Sequence, residues 1–115
     1  MNKVLVVLAS LAVLAVPAVA HHGWGSYDAN NPVTVTGPIL TSKFENPHVT
    51  MTVRSKDKTW TVTLAPTSRM INRGAVAQLV TVGKTITAVG YPSTTEKDEM
   101  RAERIAVDGK TYEMR

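Results

Sequence analysis

The chain has 115 residues, a formal charge of +4 and no cysteine. That length suits one domain with a modest hydrophobic core. The missing thiols exclude disulfides, cysteine-ligated zinc, thiol nucleophiles and a lipid-anchored cysteine at a processed N-terminus.

The first segment reads as an address rather than as part of a fold. Lys3 gives a positive start, "VLVVLASLAVLAV" is an apolar run, and Ala18-Val19-Ala20 fits an A-x-A cleavage site. Residues 1–20 are therefore expected to be a cleaved signal peptide, which places the mature protein in the periplasm or outside the cell. The apolar run is short for a membrane span of about 20 residues, so no stable membrane anchor is expected after cleavage. Of the charged residues only Lys3 is lost with the leader, so the mature chain keeps a mild positive bias.

Residues 21–32, "HHGWGSYDANNP", are rich in Gly, Asn and Asp and form an N-terminal arm. A barrel domain is expected over 33–115. "VTVTGPIL" alternates as a strand, with Gly37-Pro38 marking a bulge or bend. "TSKFENP" reads as the end of that strand and a turn. "HVTMTVRS" sets Val49, Met51 and Val53 against His48, Thr50, Thr52 and Arg54. "TWTVTL" does the same with Trp60, Val62 and Leu64 against three threonines, so the two strands form a hairpin with a threonine-rich outer face. "APTSRMINRG" predicts one short helix, with Pro66 in its first turn, Gly74 at its end and Met70 and Ile71 as apolar contacts. "AVAQLVTVGK" is ambiguous. "TITAVGYP" is a further strand, "STTEKDE" a polar loop, and "MRAERIAV" a strand with Ala102, Arg104 and Ala106 on one side and Arg101, Glu103, Ile105 and Val107 on the other. Asp108-Gly109 signals a hairpin turn. The fold class is all-β with one short helix. A helix between the third and fourth strands favours a small OB-fold-like barrel of five to six strands over a sandwich.

The order of several short motifs resembles a family of small exported bacterial proteins of unknown function. The motifs are His21-His22, Tyr27-Asp28, Val33 to Gly37, Phe44-Glu45-Asn46-Pro47-His48, Trp60 and Gly90-Tyr91. The resemblance implies an exported OB-like domain and no particular activity. The loop between Tyr91 and Arg101 is plain and polar, and nothing functional carries over to it.

Three histidines carry the sharpest chemistry: His21, His22 and His48. Imidazole suits copper, zinc and nickel. Cleavage after Ala20 would give His21 a free α-amine. That amine, its ring and His48 would make a T-shaped nitrogen set, a histidine brace, which favours Cu(II). Cleavage after Ala18 would place His21 third, where amine, two amides and ring hold Cu(II) or Ni(II) in a plane. In both cases copper is the favoured cofactor. Asp28 would orient a histidine ring, or else simply close a turn. Met51 lies on the face opposite His48 and is a core residue. Trp24 and Tyr27 pack the arm onto the barrel, or stack beside a ligand.

The alternative is a non-catalytic module that binds a ligand or an envelope protein on the face of His48, Thr50, Thr52 and Arg54. Nucleic acid is not expected as a partner, because the outer hairpin face offers threonines rather than aromatic platforms. No Gly-x-Ser-x-Gly elbow, thiol or paired-carboxylate pattern points to an enzyme. Arg69, Arg73, Arg101, Arg104 and Lys97 read as ordinary solvated charge.

Overall fold

A computed structural model describes residues 23–115. The expected signal peptide, His21 and His22 lie outside the described residues.

Six strands follow the arm: β1 (Val33–Lys43), β2 (Thr50–Ser55), β3 (Lys58–Thr63), β4 (Thr85–Pro92), β5 (Glu99–Val107) and β6 (Lys110–Glu113). One short helix, α1 (Thr67–Asn72), stands between β3 and β4. The sheet runs β3-β2-β1-β4-β5-β6, and a parallel pairing of β3 with β5 closes the first five strands into a mixed barrel. The closing contact is short: Thr61, Val62 and Thr63 pair with Glu99, Met100 and Arg101. β6 is the extra strand, antiparallel to the second half of β5. The expected strand-rich fold with a mid-chain helix is the one formed.

β1 makes closure possible because it serves two neighbours. Val33 to Pro38 pair with β4, and Ile39 to Lys43 pair with β2. The strand therefore ends with Thr41–Lys43, and the turn expected of "TSKFENP" follows it. At the crossing the strands nearly touch: a Cβ on Gly37 would lie 1.7 Å from the Arg54 carbonyl oxygen, so only a bare backbone fits. The bulge expected at Gly37-Pro38 falls instead at Leu40, which is skipped between the pairs Ile39–Val53 and Thr41–Thr52. The extra residue turns outward, which explains why an apolar side chain is 43% exposed there.

Alternation fills the barrel. Val49, Met51 and Val53 from the β2 side, Val62 and Leu64 from the β3 side, and Ile86 and Ala88 from β4 are all buried. Each fully buried Val, Leu, Ile or Met side chain contributes about 1.5–3 kcal/mol. In β5 a second bulge falls at Glu103, between the pairs Val89–Arg104 and Gly90–Ala102. It corrects the expected two-sided reading of this strand, since Ala102 and Ile105 both end in the core.

The helix forms where Pro66 and Gly74 placed it. Its end closes with Ala75 N–H donating to Met70 O at 2.8 Å and Gly74 in the left-handed region. Met70 joins the core, fully buried, but Ile71 is 55% exposed rather than a second apolar contact. Six residues of helix bury one stripe only. The ambiguous segment that follows becomes a 3-10 turn, Ala77–Val80, which buries Val80.

Candidate functional site

One end of the barrel holds a cleft of about 440 Å³. Four segments build its wall: Ser26 and Tyr27 of the arm, Glu45 to His48 of the β1–β2 loop, the facing ends of β2 and β3 at Thr50 and Thr63, and the β4–β5 loop with Glu99 and Arg101.

The arm is fastened to the barrel. Asp28 N–H donates to Pro92 O at 2.9 Å, and Thr94 donates to Ser26 O from its backbone at 2.9 Å and its hydroxyl at 3.0 Å. Two guanidinium groups lie over the Trp24 ring, with the Arg101 and Arg115 carbons 4.3 and 4.4 Å from its centre. Tyr91 meets the same ring edge-on at 6.0 Å. These two cation–π contacts hold an indole at a surface that offers little apolar cover.

The β1–β2 loop is tied down through its side chains. Asn46 Oδ1 accepts from the backbone N–H of Thr67 at 3.1 Å and from the Thr67 hydroxyl at 2.9 Å. It thus satisfies a helix-start donor that Pro66, at the N-cap, has no side chain to meet. Two residues on, His48 Nδ1 lies 3.0 Å from Leu64 O. A carbonyl only accepts, so Nδ1 carries the hydrogen and donates. In the neutral ring Nε2 then holds the lone pair. This is the orientation that a metal-binding imidazole takes from a backbone carbonyl.

Glu99 is the polar centre of the opposite wall. Its Oε1 accepts from the Tyr27 hydroxyl at 2.7 Å and the Thr63 hydroxyl at 2.9 Å. Its Oε2 is hidden from solvent and receives no hydrogen bond from the described residues. Burial pushes the Tyr27 phenol up to about 12, and the hydrogen bond to Glu99 and its charge add to the effect. Arg101 is only 8% exposed, and burial lowers its pKa. In a protein with an excess of basic residues, this cleft is acidic, with Glu45, Glu96 and Glu99 against the single guanidinium of Arg101.

The structure sorts the expected site residues. His48 and Thr50 line the cleft. Thr52 bonds the Thr41 hydroxyl on the outer wall at 2.6 Å, and Arg54 is exposed, so neither joins them. Asp28 closes a turn, accepting from Asn30 N–H at 3.1 Å and the Asn31 amide at 2.6 Å. Arg69 and Arg73 donate to the carbonyls of Met114 and Arg115. Among the described residues, no three His, Asp or Glu side chains form a metal-holding group. The β4–β5 loop, read as plain and polar, is part of the wall. There Ser93 Oγ accepts from the N–H of Thr95 and of Glu96 and shapes the turn. Glu99 was missed. Its signal lies in the parallel pairing of β3 with β5, which local alternation does not reveal.

These features define a small closed-barrel domain with an acidic cleft at one end. The chain belongs to a family of unknown function, DUF6152, whose model matches residues 7–101. No curated protein matches it in sequence. Among solved structures, it is similar to the ZRD-deleted mutant of TiaS in complex with agmatine, with a TM-score of 0.54 and 19% identity over 73% of this chain and 26% of that one. The chain thus spans about a quarter of that structure, and the likeness is one of fold.

Proposed function

We propose that the protein is an exported, non-catalytic metal-binding barrel, a carrier or sensor of envelope metal with copper favoured. His48 and His21 are its principal ligands and His22 a third ring. The observation that carries this reading is the tautomer of His48: Leu64 O takes the Nδ1 hydrogen and leaves Nε2 as a donor atom on an acidic cleft. The arm supports it. Ser26 and Tyr27 sit in the same wall as His48. His22 is four residues before Ser26, a length of chain that spans at most about 14 Å.

The test is Cu(II) calorimetry on the exported protein, with its first residue fixed by intact mass. His48→Ala and His21→Ala should each weaken binding by at least about tenfold. If both bind copper as the parent does, the reading fails. A second reading, a module that takes a small ligand, is favoured by the size of the cleft, 440 Å³, within the roughly 300–1,000 Å³ of small-molecule sites. It predicts that cleft substitutions change ligand binding while metal has no effect.

A further inference from the structure

We propose that Glu99 is the carboxylate member of the cation site, with Oε2 as an oxygen ligand beside the nitrogen of His48. This rests on the metal reading above and extends it from an all-nitrogen set to a mixed nitrogen and oxygen one.

The oxygen is prepared and incomplete. Two hydroxyl groups, of Tyr27 and Thr63, both donate to Oε1 at 2.7 and 2.9 Å. They fix the carboxyl group in place and leave its other oxygen out of their reach. Oε2 is shielded from solvent and has no donor among the described residues. Buried polar atoms of folded proteins are nearly always partnered, and an exception marks a missing water or ion, or a working group. Arg101 acts on Glu99 through its charge, yet it does not supply a bond to Oε2.

The position also fits. Thr63, which holds Glu99, and Leu64, which holds His48, are consecutive residues at the end of β3. Both side chains line one cleft whose other acids, Glu45 and Glu96, add to an excess of negative charge. An imidazole nitrogen with a carboxylate oxygen suits a borderline dication such as Cu(II), Zn(II) or Ni(II), bound at about 2 Å. The exposed Glu96 contributes field only, whereas Glu99 contributes a bond.

The experiment compares Cu(II) binding by the parent, Glu99→Gln and Glu96→Gln, using calorimetry and the electron paramagnetic resonance of the bound ion. Loss of a ligand should weaken binding by at least about tenfold in Glu99→Gln and change its copper spectrum. Glu96→Gln should stay within about twofold and keep the parent spectrum, as expected of an exposed charge. The inference is overturned if Glu99→Gln keeps the parent affinity and spectrum, or if the two variants weaken equally with unchanged spectra. If Glu99→Gln does not fold, Glu99→Asp shortens the reach with charge retained and is judged by the same two readouts. Copper bound by the parent, lost in His48→Ala and kept in Glu99→Gln refutes the role of Glu99 alone. A parent that binds no Cu(II) refutes the metal reading and this inference together.

Discussion

β5 carries two glutamates that each take a tyrosine hydroxyl, and the two pairs are in opposite conditions. On the barrel surface Glu103 accepts from Tyr91, and Arg115 stands 3.6 Å from its other oxygen. That carboxylate is complete, and the hydrogen bond is the main cause of the raised pKa of Tyr91. In the cleft Glu99 accepts from Tyr27, burial is the main cause of the rise, and the second oxygen is left open. The same side-chain chemistry settles a surface in one place and leaves a place to be filled in the other. What differs is water: at the surface it screens and completes a carboxylate, and in the cleft the protein or a ligand has to.

The comparison depends on the close approach of β4 to β5 near both glutamates, and the largest effect should come from breaking it. A Cβ on Gly90 would lie 1.9 Å from Arg101 O. Gly90→Ala should cost about 3 kcal/mol or more, read from the denaturant midpoint. The two tyrosines come next. Tyr27→Phe removes a part-buried hydrogen bond to a carboxylate and should cost about 1.5–3 kcal/mol.

That variant also has a signature in pH. Tyr27 has its pKa raised from 10.0 to about 12 in the folded protein, so the folded state holds this proton where the unfolded chain loses it. The stability it contributes is full below pH 10 and declines as pH rises through 12. Thermal melts from pH 9 to 12 should fall less steeply for Tyr27→Phe than for the parent.

Trp24→Ala is a smaller effect. It removes two cation–π contacts of about 0.5–1 kcal/mol each and loosens the arm without unfolding the barrel. Faster hydrogen exchange at the Asp28 and Thr94 amides, with an unchanged core, would show it. Tyr91→Phe should be the mildest, because its partner is already served by Arg115 and water. A cost equal to that of Tyr27→Phe would erase the distinction between the pairs.

What the sequence made legible follows from range. The β2–β3 hairpin, the helix and the Asp108-Gly109 turn are set by neighbours a few residues apart, and alternation and turn chemistry reveal them. His48 stood out because Asn46-Pro47 marks a turn. The β3–β5 pairing joins residues far apart in the chain and leaves no local trace, so Glu99 looked like one more charge in a polar loop. The bulges at Leu40 and Glu103 escaped for the same reason. Each is one residue too many only by comparison with a partner strand. Asp28 illustrates the reverse case, a residue with two readings by sequence whose carboxylate is taken up by Asn30 and Asn31.

The extra residue at Glu103 ties the wet and dry sides of the barrel to a single count. Before it, odd positions such as Glu99 and Arg101 look outward and Met100 and Ala102 inward; after it, Ile105 and Val107 look inward. A chain one residue shorter at this point could keep its second half in phase only by rotating the first. Two charges would then enter the core, and a methionine would face the cleft. Position 103 therefore works as a punctuation mark: it carries little meaning itself, yet the reading frame of the site depends on it.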